Sequence, residues 1–427
     1  MSKPVERGNR PTLSLHVPEP AYRPGDAPDF SSVVVPAAGS APRPDVACKA
    51  DETHPLTTHL VRVLDEDGKA VGPWDPKLSP DTLRKMLTDM KTVRAFDDRM
   101  YRAQRQGKTS FYMKCTGEEA IAVAAATAMD RDDMHFPTYR QQGLLVARGY
   151  PLVTMMCQIY SNGGDPLHGR QLPIMYSDRK HGFFSISGNL GTQYPQAVGW
   201  AMASAISGDS RIAMGWIGDG ATAEGDFHSA LTFAAVYQAP VILGIVNNQW
   251  AISSFSGLAG AEQATFAARA VGYGIAGLRV DGNDALACHA AVTWAAERAR
   301  TNKGPTLIEF FTYRAEGHST SDDPTGYRPK GESEAWPLGD PIERLTQHLI
   351  VLGEWDADRD AALDQQIDAT IRAAQKEAET QGILPQQGFD NIGSMFDDVF
   401  ADTPWHLVEQ REAALAEARE FLGHEPQ

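Results

Sequence analysis

Residues 211–250 decide the fold, and they read RIAMGWIGDG ATAEGDFHSA LTFAAVYQAP VILGIVNNQW. Two short apolar runs, 212–217 and 241–246, flank a segment with helical character at 224–238. A strand, a helix and a second strand in this order are typical of a βαβ unit with parallel strands. The sequence therefore predicts an α/β fold, with a parallel sheet that carries helices on both faces.

The same alternation continues on both sides of this unit. Downstream we predict strands over 276–280 and 306–313, and upstream a long helix begins at the capping Ser79 and ends near Gly107. The further predicted helices are 119–129, 141–148, 195–207, 262–271 and 285–302. Sheets of this kind bind ligands beyond the carboxyl ends of their strands, so functional residues are expected just after 217, 246 and 313.

The composition divides the chain into three parts. Residues 1–55 contain ten of the 27 prolines and little periodicity, which predicts an extended arm, with a disordered tail as the alternative. Residues 56–340 form the predicted α/β domain. Residues 341–427 are predicted to be helical, because Ile342, Leu345 and Leu349 recur on one face.

Charge and hydropathy exclude several classes of function. The formal net charge of −16 argues against a nucleic-acid partner, and the longest apolar run, 120–129, is too short to span a bilayer. The four cysteines form no CxxC pair, which favours reduced thiols. The first residues lack a secretory or transit signal, and we therefore expect a cytoplasmic protein with no membrane partner.

Polar residues follow both strands of the first βαβ unit. Asp219 and Asn248 are 29 residues apart, which leaves room for one helix and one strand and returns both side chains to the same edge of the sheet. Mg²⁺ prefers such oxygen ligands, and the carbonyl of Trp250 is a candidate third ligand. Gly218 and Gly220 let the backbone approach a diphosphate, at which the following helix points its amino end. Each motif alone is also typical of a plain turn.

The spacing of these motifs resembles the Gly-Asp-Gly to Asn-Asn signature of thiamin-diphosphate enzymes, and hence their thiamin-diphosphate-binding fold. Four further segments narrow the resemblance to the alpha subunit of the decarboxylase component of 2-oxo acid dehydrogenase complexes. They are Gly117-Glu118-Glu119, Phe136-Pro137-Thr138-Tyr139-Arg140, the stretch 191–199 and the stretch 317–323. The resemblance runs from about 78 to 407 and leaves the arm outside. The run 318–323 is similar to the branched-chain type.

The resemblance implies roles for individual residues. Arg140 and His318 match contacts to the terminal phosphate, Tyr139 matches a neighbour in that pocket, and Leu190 matches the residue under the middle of the cofactor. His318 is also the candidate catalytic residue. The remaining expected cofactor contacts are Gly218, Asp219, Gly220, Ala221 and Asn248. An ordinary helix start or a solvated loop is the alternative for 139–140 and for His318.

Three positions match a monovalent-cation site that steadies the cofactor loop in some members, with K⁺ as the candidate ion, namely Ser187, Thr192 and Gln193. The sequence also departs from the family at two positions. Some relatives have an Arg where this chain has Val246, so the phosphate charge must be met by Arg140, His318 or other groups. Ser319 matches a regulatory phosphorylation site of animal relatives, but Pro329 occupies the position of a second one, which argues against kinase control.

By resemblance, the chain is expected to be half of an active site. The family uses thiamin diphosphate to decarboxylate a 2-oxo acid and transfers the acyl group to a lipoyl group on an acyltransferase component. A beta subunit supplies the carboxylic acid that the cofactor ring needs, in an α2β2 assembly. The same role with pyruvate or acetoin remains an alternative, and a non-catalytic magnesium-diphosphate scaffold is an alternative from another class.

Overall fold

A six-stranded, all-parallel sheet lies at the centre of the computed structural model, which describes residues 13–382, 384 and 390–422. The order of the strands is β1-β7-β8-β4-β3-β2. A separate antiparallel hairpin, β5–β6, follows β4 directly. The strands are β1 (Leu60–Val61), β2 (Met134–Phe136), β3 (Ala213–Gly218), β4 (Val241–Asn247), β5 (Trp250–Ala251), β6 (Ser254–Phe255), β7 (Ala276–Asp281) and β8 (Thr306–Phe311).

Helices surround this sheet. They are α1 (Pro80–Arg105), α2 (Glu119–Ala128), α3 (Gln142–Ala147), α4 (Leu152–Tyr160), α5 (Gln193–Ile206), α6 (Gly225–Tyr237), α7 (Arg269–Tyr273), α8 (Ala285–Arg300), α9 (Pro341–Val351), α10 (Ala357–Glu379), α11 (Asp390–Gly393) and α12 (Trp405–Leu422). None of the described helices has both the length and the apolar composition needed to cross a membrane.

The two faces of the sheet bury two separate apolar cores. Side chains alternate along a strand, so Trp216 and Ile242 point to one face while Ile217 and Leu243 point to the other. The first face joins a core shared with α1, α2 and α8, and the second joins a core shared with α5 and α6. Every residue of β4 is buried, as expected for a central strand covered on both sides. The predicted α/β fold with helices on both faces is therefore confirmed.

Most of the predicted elements agree with the structure to within two residues at each end. The predicted helix over 262–271 is wrong, because only α7, at Arg269–Tyr273, is helical there. In this segment, backbone N–H groups donate to side-chain oxygens instead of to the carbonyls of a helix. Ala267 donates to Glu309 Oε2 at 2.8 Å and Ala268 donates to Thr265 Oγ1 at 3.2 Å, which stabilises turns. The sequence analysis did not identify the short strands β1 and β2 or the helix α4.

The described part of the proline-rich arm lies along the body of its own chain. Its carbonyl oxygens accept hydrogen bonds from side chains of the body. Trp74 Nε1 donates to Pro42 at 3.0 Å, and Trp294 Nε1 donates to Pro44 at 3.0 Å. Phe30 also packs edge-on against Trp336, with ring centroids 5.2 Å apart. These contacts hold the arm in an extended path without regular secondary structure between residues 13 and 49.

The first C-terminal helix is tied to the sheet by a buried ion-pair cluster. Arg344 of α9 lies 2.8 Å from Asp281 Oδ2 at the end of β7, and 3.4 Å from Asp284 Oδ2. Asp284 also accepts hydrogen bonds from the backbone of Val63 and Leu64, just after β1. Because both carboxylates are buried and paired, this cluster joins the edge strand β1, the strand β7 and α9.

Candidate active site

The carboxyl ends of neighbouring strands bring the predicted site residues to one cavity. Gly218 of β3 pairs in register with Val246 of β4, so Asp219 and Asn248 follow the sheet at the same edge. Arg140 follows β2 and His318 follows β8, at that edge too. The cavity measures about 560 Å³. Its lining includes Tyr139, Arg140, Leu190, Gln193, Gly218, Asp219, Gly220, Ala221, Asn248, Trp250 and His318.

Asp219 has an unused oxygen in this cavity. The residue is buried, and its Oδ2 has no hydrogen-bond partner within the described residues. Burial raises the pKa of Asp219 to about 7, because a lone carboxylate is poorly solvated there. A divalent cation would supply the missing partner and the missing positive charge, so this oxygen fits a Mg²⁺ ligand.

The amide of Asn248 is held in one orientation. Its Nδ2 donates to Glu118 Oε1 at 2.7 Å, and its Oδ1 accepts from Trp250 N at 3.3 Å. The nitrogen is therefore committed to the carboxylate, while the oxygen keeps a free lone pair. Glu118 is buried and lines the same cavity. The sequence analysis gave Glu118 no role in the site.

The carbonyl oxygen of Trp250, the third predicted metal ligand, already has one partner. It accepts a hydrogen bond from Arg314 Nη1 at 3.1 Å. Arg314 is almost fully buried and also donates to the carbonyl of Ile252 at 3.0 Å, so it fixes the hairpin β5–β6 beside the cavity. A carbonyl oxygen has two lone pairs, and the second pair at Trp250 can still bind a cation.

Arg140 fixes the tautomer of His318. Its Nη2 lies 3.1 Å from His318 Nδ1, and the same guanidinium donates to the carbonyls of His318 and Lys114. Arg has donors only, so Nδ1 must accept and the ring proton must lie on Nε2. Burial, together with Arg140 and Arg314, lowers the pKa of His318 to about 3. The imidazole is therefore neutral near pH 7 and offers one N–H donor.

A short network holds the His318 loop. Asp322 Oδ2 accepts from the backbone N of His318 and from the hydroxyl of Tyr327, both at 2.6 Å. Tyr139 packs edge-on against the His318 ring, with centroids 5.8 Å apart. The loop after β8 is thereby fixed at the mouth of the cavity.

The candidate monovalent-cation residues lie around one turn before α5. Gln193 Nε2 donates to the carbonyl of Ser187 at 3.4 Å, and Thr192 Oγ1 donates to the carbonyl of Asn189 at 2.8 Å. The buried Oε1 of Gln193 has no partner within the described residues. Of the three residues, only Gln193 lines the cavity. Leu190, in the same turn, does so too and is 49% exposed in the isolated chain.

The predicted helix amino end after Asp219 needs correction. A 3-10 helix, Gly220–Ala223, intervenes, and α6 begins only at Gly225. The cavity is lined by Gly220 and Ala221 of the 3-10 helix and not by the start of α6. Backbone groups of this tight turn, rather than the end of a long helix, face the site.

The charges in the cavity decide what it can bind. Glu118 and Asp219 are acidic, whereas Arg140 is the one permanently charged cation in its described lining. With both acids ionised, an anionic ligand alone would meet a net negative lining. A diphosphate that arrives with a divalent cation would satisfy the free oxygen of Asp219, and its phosphate oxygens could accept from Arg140 and His318 Nε2.

Glu118 and Arg314 could have been suspected from the sequence. Glu118 stands two residues before the apolar run 120–129, and a carboxylate next to a buried segment needs a partner. Arg314 follows a predicted strand closely, where ligand-binding residues are common. Neither signal identifies the partner, because the contacts join residues 130 and 64 positions apart in the chain.

Two family models match the sequence. The model described as "Dehydrogenase E1 component" matches residues 88–387. The model described as "2-oxoisovalerate dehydrogenase E1 alpha subunit N terminal" matches residues 11–51. The second match corrects the expectation that the resemblance leaves the arm outside.

Individual proteins are similar over most of the chain. The "2-oxoisovalerate dehydrogenase subunit alpha" of Pseudomonas aeruginosa is 59% identical over 94% of this chain and 98% of its own length. The mitochondrial protein of that name from Homo sapiens is 38% identical over 86% of this chain and 81% of its own. The mitochondrial subunit alpha 1 from Arabidopsis thaliana is 38% identical over 82% and 73%, respectively.

Proposed function

The chain belongs to the dehydrogenase E1 component family, and on this premise we propose that it is the alpha subunit of a branched-chain 2-oxo acid dehydrogenase. Its reaction is the oxidative decarboxylation of acids such as 3-methyl-2-oxobutanoate. The observation that carries the proposal is that Asp219 Oδ2 has no partner in the described part of the chain and shares one cavity with the oriented amide of Asn248.

Thiamin diphosphate is the cofactor of this family, and when bound it supplies the carbanion and the electron sink for loss of carbon dioxide. We assign Mg²⁺ to Asp219 Oδ2, Asn248 Oδ1 and the carbonyl of Trp250. The negative lining supports this assignment, because the diphosphate needs a cation to enter. The turn that contains Gly218, Gly220 and Ala221 would bring its backbone to the diphosphate.

The remaining residues bind and orient the cofactor. Arg140 and the Nε2–H of His318 would donate to the terminal phosphate, and Tyr139 would pack beside them. Leu190 would support the middle of the cofactor. Gln193 Oε1 has no partner among the residues that the structure describes, which supports a K⁺ site with Ser187 and Thr192.

A beta subunit would complete the active site. Within the described lining of the cavity, the carboxyl groups are Glu118 and Asp219, and both lie beside the proposed metal. Neither is available to exchange a proton with the cofactor ring, so that acid would come from the beta subunit. We propose an α2β2 assembly in the cytoplasm that transfers the acyl group to a lipoyl-bearing acyltransferase.

The three-part division of the chain also belongs to the proposal, with an arm at 1–55, a cofactor-binding domain at 56–340 and a helical region at 341–427. The lack of helices and strands between residues 13 and 49 supports the arm, whereas the 3-10 helix Ala50–Thr57 spans its proposed end. The change from sheet to helices at α9 supports the second.

The test is an assay of the tetramer, purified with its beta subunit, with 3-methyl-2-oxobutanoate and pyruvate as competing substrates. We expect kcat/KM to favour the branched acid by roughly tenfold or more, the range that a few buried methyl groups provide. A preference for pyruvate would refute the branched-chain assignment. Asp219→Ala in the tetramer should abolish turnover, whereas a scaffold subunit would retain it.

A further inference from the structure

Glu118 is a buried acid at the cavity for which the proposed reaction has no use. It precedes the first residue of α2, and its side chain is 3% exposed. Burial raises its pKa, and the nearby Arg140 and the hydrogen bond from Asn248 oppose this shift. Burying an acid costs free energy of folding unless the carboxyl group is paired and hydrogen-bonded.

The contact with Asn248 shows what Glu118 does. A carboxylate has acceptors only, so the amide must turn its nitrogen towards Glu118 Oε1, which lies 2.7 Å away. The opposite rotamer would place two oxygens against each other. The amide oxygen is therefore fixed on the other side, where it also accepts from Trp250 N. Glu118 thus selects one of two otherwise similar orientations of Asn248.

Glu118 also acts on Asp219 through charge. Both residues are buried and line the same cavity, so their negative charges repel each other when both are ionised. A divalent cation placed against Asp219 removes this repulsion, and the attraction between the cation and both acids strengthens its binding. The charge of Glu118 therefore favours the site with a bound cation over the empty site.

We propose that Glu118 is a positioning residue for the divalent cation, which it serves by orienting the Asn248 amide and by adding a second negative charge to the cavity. This inference rests on the proposed metal site at Asp219 and Asn248. Glu118 touches neither the substrate nor the reacting atoms in this scheme. Its effect is on the affinity and the coordination of the metal.

The neighbouring Glu119 provides a matched control. It is also fully buried, but it does not line the cavity. Its Oε1 accepts from Arg94 Nε at 2.7 Å, and its Oε2 accepts from Gly117 N at 2.9 Å. Glu119 therefore ties α1 to the start of α2, which is a structural role.

The experiment measures Mn²⁺ binding to the α2β2 tetramer in the presence of thiamin diphosphate, by electron paramagnetic resonance. Glu118→Gln loses the charge and can accept or donate, so it no longer selects the amide rotamer. We expect it to weaken Mn²⁺ binding by about 10- to 100-fold, as removal of a residue that orients a ligand does, and to alter the spectrum of bound Mn²⁺. Glu119→Gln should lower Tm but leave the Mn²⁺ affinity and spectrum unchanged.

An unchanged Kd and spectrum in Glu118→Gln would overturn the inference, as would an equal loss in Glu119→Gln. If Glu118→Gln does not assemble, Glu118→Asp is measured instead. It keeps the charge but withdraws the carboxylate from Asn248, and an unaltered spectrum would then refute the orienting role. Asp219→Ala distinguishes a failure of the proposed metal site from a failure of the proposed role of Glu118. If Asp219→Ala binds Mn²⁺ normally, the proposed metal site is wrong; if it does not bind while Glu118→Gln does, only the role of Glu118 is wrong.

Discussion

Arg140 Nη2 lies 3.1 Å from His318 Nδ1. Because Nδ1 accepts from the guanidinium, the ring proton lies on Nε2, which is the one N–H donor of the neutral imidazole. The pair joins the loop after β2 to the loop after β8, across the mouth of the cavity. Two segments 178 residues apart in the chain thus present a permanent cation and a neutral N–H donor together.

Replacing His318 should affect acyl transfer and cofactor binding to different extents. We expect His318→Ala to slow acyl transfer to the lipoyl group more than it weakens thiamin diphosphate binding, because Arg140 still supplies charge to the phosphate. Transfer is measured by single-turnover acylation of a lipoyl domain, and binding by titration of the cofactor. His318→Gln, which keeps an N–H donor, should retain more transfer activity. Equal losses of binding and transfer in His318→Ala would contradict the catalytic role.

A methyl group at position 220 should displace the hairpin β5–β6 and so disturb the proposed metal site. A Cβ on Gly220 would lie 2.5 Å from the Cβ of Ala251, so β5 must shift and carry the Trp250 carbonyl with it. We expect Gly220→Ala to raise the Kd for Mg²⁺ and thiamin diphosphate by calorimetry. Gly225→Ala, whose Cβ would meet no atom within 4 Å, is the matched control. Unchanged binding in Gly220→Ala would show that the hairpin does not contribute a ligand.

Arg298 should control how firmly the arm is held. Its Nη1 donates to the carbonyls of Val46 at 2.9 Å and Cys48 at 2.8 Å. Arg298→Ala should lower the free energy of unfolding by about 2 kcal/mol, the scale of a hydrogen bond to a charged group, and should speed amide exchange over residues 43–49. Hydrogen exchange with mass spectrometry measures this local effect. Lys303→Ala, at an exposed position just after α8, should leave the exchange unchanged.

His289 should make the protein less stable in acid. Burial lowers the pKa of His289 to about 4, from an ordinary 6.5. Between these values the unfolded chain binds the proton and the folded chain does not, so stability falls as the pH falls from 6.5 towards 4. The full effect is roughly 3 kcal/mol. We expect His289→Gln to flatten the Tm profile in this window relative to the parent protein. A difference between the two profiles that does not vary with pH would contradict the assignment.

The sheet and the metal-binding pair can be predicted from local sequence patterns. Short apolar runs indicate the strands, and the residues that directly follow each run are the candidates for the site. Asp219 and Asn248 were identified in this way, and both line the cavity. Glu118 and Arg314 could not be given partners, because their contacts are made across the fold. The predicted helix over 262–271 failed for the same reason, since the distant Glu309 competes for its backbone. The roles of all these residues in cofactor binding remain predictions.

Between residues 42 and 48 the arm is held through its main chain. Trp74, Trp294 and Arg298 all reach carbonyl oxygens, which every amino acid possesses. These main-chain contacts do not depend on the side chains at the positions that accept, whereas Phe30 is held by its own ring against Trp336. Removing the arm would therefore take the acceptors away from Trp74, Trp294 and Arg298 and would also remove the aromatic partner of Trp336.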